Sequence, residues 1–488
     1  MSTARPTTET YLNFINGKWV APQNGQYYSR TNPAQPSQSL GNFPSSTEAD
    51  VETALAAAAG AAAAWADTPG PQRGAILFRF VQLLEESKAE LGKIVTLEQG
   101  KVLAEGKGEV GKAADEARFM AAEASRICGQ TFPSERPGFS AHTVLEPIGV
   151  VAAISPWNFP VVAPVRKIAP ALAYGNTVVF KPSSLTPWSA VYLVQLLEKA
   201  GVPAGVVNLV VGPGSRIGNH LVSDRRVRGI TFTGSTEVGV PLYEYAARHL
   251  ASVQLELGGK CPAVVIDCDN LEDAARDIVA TAFACSGQRC TALSRVIVSE
   301  KHADALVAKM IPYLEKIKVG DGVQEGSTMG PVVSRAQYDS IQNYVNKGIE
   351  SGCKLAFGGK SLVKQPDHEG YFLSPTLFDK VPADSPLAKE EIFGPVLPVI
   401  RVKDVDEAIA VANSTRYGLA SAVFTSSLDV ASKCMRRIQS GMIHMNHGTV
   451  IQSNTPFGGR KDSGQGAFSI GATAKEFFTN VKTIYTKW

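Results

Sequence analysis

From Gly149 onward the chain alternates short β-branched runs with helical stretches, and this alternation restricts its fold more than any other feature. Val150–Ile154, Thr177–Phe180, Val206–Val211 and Gly229–Phe232 read as strands, with residues 162–173, 187–200, 215–223 and 237–249 as the helices between them. Runs this apolar have no face to leave in water, so both sides must be covered, as in a parallel, doubly wound sheet. A second alternating set, Ala263–Ile266, Arg295–Val298, Leu397–Val402 and Ala422–Phe424, predicts another α/β unit over 257–456. Residues 49–126 carry apolar side chains at helical spacing (Leu77, Phe80, Val81, Leu84) and read as a helical block. Two segments stand outside this scheme: Arg126–Thr143, and the tail from Lys475, which alternates like an exposed or partner-paired strand. Neither has an obvious local partner, which points to a contact between subunits or to an edge hairpin within one chain.

At 488 residues the chain exceeds one ordinary core, and two or three domains are expected. A net charge of +3 without any long Lys/Arg block argues against nucleic acid as a partner. No apolar run approaches the ~18 residues of a membrane span, and the first residues lack the apolar core of a signal peptide. The alanine-rich run Ala54–Ala66 reads as a packed helix. Seven cysteines, an odd and sparse set, suit a reducing, cytoplasmic setting better than a disulfide framework. The Cys285/Cys290 and Cys261/Cys268 pairs lack the further ligands of a zinc site, so no metal is expected.

The chemistry concentrates at Cys290, in Gly287-Gln288-Arg289-Cys290-Thr291, and at Glu256, in Leu255-Glu256-Leu257-Gly258-Gly259-Lys260. A thiol that forms a covalent intermediate needs activation, and a carboxylate can then activate the water that releases the product. A Gly-flanked cysteine alone also reads as a small buried hydrophobe. Glu256 ends an apolar strand, where partial desolvation would raise its pKa. Two strand–turn–helix junctions follow the dinucleotide-binding logic. One is Gly212-Pro213-Gly214-Ser215-Arg216-Ile217-Gly218, equally readable as a tight turn; the other is Thr233-Gly234-Ser235-Thr236-Glu237-Val238-Gly239.

Taken in order, several segments resemble the landmarks of the aldehyde dehydrogenase superfamily, the NAD(P)-dependent oxidisers of aldehydes to acids. They are Pro156-Trp157-Asn158-Phe159-Pro160, Lys181-Pro182, Phe232-Thr233-Gly234-Ser235, Leu255 to Lys260, Gly287 to Cys290, Glu390 to Pro395 and Pro456-Phe457-Gly458-Gly459. The pattern is nearest the semialdehyde dehydrogenases. The resemblance implies a Rossmann-like coenzyme domain (1–126 and 148–256), an α/β catalytic domain (257–456) and oligomerisation strands (127–147 and 470–488) in a homodimer or homotetramer. It implies Cys290 as nucleophile, Asn158 with the Cys290 N–H as oxyanion donors, Glu256 as general base and Lys167 close by. For the cofactor it implies Glu391 and Phe393 at the nicotinamide ribose and ring, and Trp157 and Lys181 at the adenosine ribose. The Gly234–Gly239 turn is implied at the pyrophosphate, with Gly214 bordering the adenine; Ser155, Pro156, Thr233, Ser235 and Leu257 complete the set.

Ser184 stands where the family's NAD-selective members carry an acid, so NADP+ is the expected preference, with NAD+ accepted. Phe159, Arg289, Thr291 and Arg166 are the implied substrate contacts. Arg166 matches the arginine that holds a semialdehyde's far carboxylate, although enzymes acting on aromatic aldehydes also carry it and Ala284 stands in place of a second arginine. Stem packing or a salt bridge between subunits is the other reading of Arg166. Oxidation of uncharged aldehydes, and a cofactor-independent thiol hydrolase, are the alternatives to a semialdehyde oxidiser.

Overall fold

Two large parallel sheets organise the chain. The structure is a computed structural model and describes residues 9–362 and 369–488. In the first sheet, Val207–Leu209, Thr177–Lys181, Val150–Ile154, Val227–Thr233 and Ser252–Glu256 lie side by side and parallel. Asn13–Ile15 and Lys18–Val20 extend one edge antiparallel, and Gly464–Gly466 closes the other. The expected strands and their order of alternation with helices are present, and the fold class is the expected mixed α/β one. Burial explains it: every residue of Val150–Ile154 and Thr177–Lys181 is buried.

The second sheet has seven strands where four were read. Lys354–Phe357 pairs antiparallel at one edge; Thr376–Asp379, Val396–Val402, Leu293–Ser299, Cys261–Val265, Ala420–Phe424 and Met442–Met445 follow in parallel. The missed strands are short, and none of them carries a long β-branched run. The helical block is confirmed as four helices between Glu48 and Glu123, with Leu77, Phe80, Val81 and Leu84 buried. Each such burial contributes about 1.5–3 kcal/mol.

The outlying segments correct the sequence reading. The tail begins as a helical turn, Ala474–Phe478, because Phe477 and Phe478 both turn inward and are buried. Only Thr479–Lys487 is a strand, and it pairs along nine residues with Phe139–Pro147 of the same chain. The two segments are therefore each other's partner, with Thr131–Phe132 on the far side. Gly464–Gly466 is a second departure, returning the chain to the first sheet beyond the expected 257–456 unit.

Strand register places the functional segments. Ile154 is level with Lys181, and Thr233 with Glu256, so these residues share the carboxyl edge of the first sheet. Leu257–Lys260 then crosses directly into Cys261–Val265, an inner strand of the second sheet. Cys290 lies just ahead of Leu293, which is level with Cys261. The carboxyl end of one sheet thus faces the amino end of the other. Ligands of open α/β sheets bind at such carboxyl edges.

Candidate active site

A cavity of about 580 Å³ occupies that junction, and Cys290 lies on its wall. The backbone ahead of Cys290 is forced into a sharp reversal. Cys285, Ser286 and Gly287 all have left-handed φ (52°, 58° and 70°), costly for the first two. Gly287 also lies so close to the Gly394 carbonyl that a Cβ would collide with it. The buried Gln288 holds the turn: its amide donates to the Cys285 carbonyl (3.1 Å) and accepts from the Val333 N–H (3.0 Å). Burial pushes the Cys290 thiol up to about 11, partly offset by Arg166 and Arg289 and reinforced by Glu256 and Glu391. Cys285 is buried, and its thiol is pushed up to about 12.

Asn158 lines the cavity and is buried. Its amide donates to the Gln288 carbonyl at 3.0 Å, which ties the Pro156–Pro160 turn to the cysteine turn. An amide nitrogen has two N–H donors, so the second remains for a ligand. A buried pair behind the turn was not legible in the sequence. Lys101 bonds Glu109 at 2.6 Å and the Asn158 carbonyl at 2.9 Å, and lies 4.0 Å from the centroid of the Phe159 ring. Glu109 accepts from the Val161 and Val162 N–H groups at the start of the helix Val162–Ala173. Breaking such a buried pair typically costs about 3–5 kcal/mol.

Glu256 does not reach the cavity wall. Ser469 donates to its Oε1 at 2.8 Å, while Oε2 is buried with no hydrogen-bond partner among the described residues. Burial holds its carboxyl well above the usual carboxylate range, against the Ser469 bond and the charges of Arg166 and Lys167. Lys167 is also withdrawn, donating to Thr233 (2.7 Å) and Thr231 (3.3 Å); burial holds it far below the usual lysine range.

Of the expected cofactor set, Pro156, Trp157, Thr233, Gly234, Ser235, Leu257, Glu391 and Phe393 line the cavity, whereas Ser155, Lys181, Ser184 and Gly214 do not. Trp157 and Phe393 meet edge to face at 5.3 Å. Glu391 accepts from the Gly259 N–H at 2.7 Å, and burial pushes it up to about 7. Gly258 packs so tightly on the Glu391 carboxylate that a Cβ would displace it. Lys181 is buried, with its ammonium bonded among the described residues only to the Pro182 carbonyl (2.9 Å) and pushed down to about 8 by burial. A Cβ on Gly214, which begins the helix Gly214–Ser223, would sit 3.6 Å from that ammonium. The unused Lys181 donors and the Gly258–Glu391 cradle suit a dinucleotide with ribose hydroxyls to bind.

The remaining wall holds Phe159, Arg166, Arg289 and Thr291 as expected, with unanticipated neighbours Lys112, Thr281, Thr449, Ile451 and Phe457. Arg166 forms a two-pronged salt bridge with Glu116 (Nε 3.1 Å, Nη2 2.9 Å) and lies 4.6 Å from the centroid of the Phe457 ring. The salt bridge is thus made within the chain and not, as read from the sequence, between subunits, and Arg166 keeps its place on the wall. Thr449 donates to the Thr291 carbonyl at 2.7 Å, and Lys112 to the Ile451 carbonyl at 2.8 Å.

The description "Aldehyde dehydrogenase family" belongs to the family pattern that matches residues 19–484. This chain belongs to the aldehyde dehydrogenase family. Among its relatives, the alpha-ketoglutaric semialdehyde dehydrogenase of Bacillus subtilis (strain 168) is 40% identical over 479 residues, 98% of either chain. The succinate-semialdehyde dehydrogenase [NADP(+)] of Escherichia coli (strain K12) is 38% identical over 454 residues, 93% of either chain. The crystal structure of an NAD-dependent aldehyde dehydrogenase from Sinorhizobium meliloti superposes with a TM-score of 0.95 at 35% identity, covering 98% of this chain and 95% of that one. The chain is an NAD(P)-dependent aldehyde dehydrogenase, oxidising an aldehyde to the carboxylic acid.

Proposed function

We propose that this enzyme oxidises short aldehydes bearing an ω-carboxylate, such as succinate or 2-oxoglutarate semialdehyde. The observation that carries the reading is the charge of the cavity wall: Lys112, Arg166 and Arg289 all reach it, and Glu116 is the one carboxylate paired to them among the described residues. The wall's own carboxylate, Glu391, belongs to the nucleotide side. The names of the relatives agree with it. The apolar wall of Val162, Ile451 and Phe457 also suits an uncharged chain, which makes uncharged aldehydes the second reading.

In this reading the Cys290 thiolate attacks the aldehyde carbon, and its thiol proton passes to a base. The free N–H of Asn158 and the Cys290 N–H hold the developing oxyanion, each such donor being worth roughly 3–4 kcal/mol. Glu256 leaves Ser469, reaches the cavity and takes a proton from the water that hydrolyses the thioester. Lys167 steadies the ionised Glu256 by charge. NAD(P)+, when bound, supplies the hydride acceptor for the oxidation. Glu391 and Phe393 would hold its nicotinamide end, and Trp157, Thr233, Gly234 and Ser235 its middle. Lys181 and Ser184 would take the adenosine ribose, where a serine in place of an acid favours NADP+.

In this reading the chain divides into a coenzyme part (1–126, 148–256), a catalytic part (257–456) and oligomerisation segments (127–147, 470–488), whose paired strands are Phe139–Pro147 and Thr479–Lys487. Val481, Tyr485 and Trp488 are 68%, 77% and 87% exposed, an apolar edge suited to a second copy in a dimer or tetramer. Seven free cysteines fit a reducing, cytoplasmic setting. The test is a kcat/KM panel over ω-carboxyl and uncharged aldehydes of equal length, followed at 340 nm. Preference for the charged series is expected; equal or better use of the uncharged series contradicts the reading.

A further inference from the structure

Lys112 is used by neither the motif pattern nor the chemistry above. It projects from the helix Leu103–Glu123 one helical turn before Glu116, on the same face, and lines the cavity. Its ammonium donates to the Ile451 carbonyl (2.8 Å) and the Ser453 hydroxyl (3.0 Å). An ammonium has three N–H donors, so one is unspent. Among the described residues it has no ion-pair partner. Its neighbour Arg166 differs on both counts: Glu116 consumes its Nε and Nη2 donors and cancels its charge.

Among the described residues two cations of the wall lack an ion-pair partner, Lys112 and Arg289. Arg289 adjoins Cys290 and shares a second, small cavity with Glu391 and Phe393, so the uncancelled charge on the Glu116–Arg166 side belongs to Lys112. Burial and the Arg166 charge hold the ammonium below its usual pKa, with Glu116 acting the other way. An arriving anion would relieve that strain, and the Ile451 and Ser453 bonds already fix the group that would receive it. A lysine acts as a point charge without the fixed fork of an arginine, so carboxylates at slightly different depths can be met.

We propose that Lys112 is the specificity-determining cation of the aldehyde site, its ammonium receiving the far carboxylate of a four- or five-carbon ω-carboxyl aldehyde in place of the Arg166 guanidinium. This rests on the semialdehyde reading above and assigns its carboxylate contact.

The experiment compares kcat/KM for succinate semialdehyde with that for butanal in the full-length enzyme and in Lys112→Met, Lys112→Gln, Lys112→Arg and Arg166→Ala. The proposal expects the charged-to-uncharged ratio to fall at least tenfold in the Met and Gln variants, mainly through KM, and to be largely restored in the Arg variant. A ratio unchanged in Met and Gln, because both substrates suffer equally, would mean that Lys112 only pins the Ile451 segment, and the proposal is overturned. A ratio that falls in Arg166→Ala but not in the Lys112 variants overturns it while leaving the semialdehyde reading intact. Wild-type enzyme without preference for the charged aldehyde removes both.

Discussion

The two halves of the cavity wall are built from different materials. On the nucleotide side the shape comes from backbone: strand ends, the Gly234 turn, and Gly258 packed on Glu391, with Trp157 and Phe393 at 5.3 Å. On the aldehyde side its charge comes from long side chains of two helices, Lys112 from one and Arg166 from the other, Arg166 tied to Glu116 and Lys112 to the Ile451 carbonyl. Backbone shape tolerates few residue types, whereas charged side chains can be exchanged one at a time. The first side thus fixes what reaction the enzyme runs, and the second selects which aldehyde undergoes it.

Changes at the seam between the two sides should act on the chemical step for every aldehyde. Cys290→Ala is expected to lower turnover at least about 10⁴-fold, because it removes the proposed carrier of the covalent intermediate. Loss of that size for charged and uncharged aldehydes alike, measured by NAD(P)H formation, sharpens the contrast; residual turnover near wild type would break it. Asn158→Ala should reduce kcat by roughly 10²–10³-fold with a small change in KM. A change confined to KM would place Asn158 with the selective wall instead.

The pH dependence has a definite sign. Glu256 works as a base only when ionised, and burial holds its pKa above the ordinary carboxylate range. Hydrolysis of the acyl-enzyme should therefore rise with pH through that raised pKa, and the rise should vanish in Glu256→Gln. A pH-independent wild-type deacylation rate removes Glu256 from this role. The smallest effect is expected farthest from the seam. Ser184→Glu should shift the NADP+/NAD+ ratio of kcat/KM toward NAD+ by roughly tenfold, since a second anion beside a 2′-phosphate repels it. No shift would show that the Ser184 side chain does not face the ribose.

The same difference in material explains what the sequence disclosed. Strand alternation announced the first sheet because fully buried strands such as Val150–Ile154 cannot be polar. Cys290, Asn158, Glu391 and Phe393 were legible because they sit in turns whose glycines and prolines are visible as motifs, and the structure brings all four to one cavity. Lys101, Glu109, Lys112 and Glu116 were not, because charges at helical spacing read as a solvated face until another element covers them. The charge-rich helix Leu103–Glu123 buries Glu109 and Glu116 almost completely. The tail pairing was hidden for a related reason: Phe139–Pro147 and Thr479–Lys487 are far apart in sequence, and nothing local encodes their register. The withdrawn position of Glu256 was equally invisible, since Ser469 lies in a segment without a recognisable motif.

In the proposed reading oxidation and hydrolysis are separate events, with Cys290 carrying the intermediate and Glu256 serving its release. Rapid mixing of Glu256→Gln with aldehyde and NADP+ tests it most directly. A burst of reduced cofactor approaching one equivalent per active site is expected, followed by slow turnover as the thioester accumulates. Full steady-state turnover without a burst would contradict it.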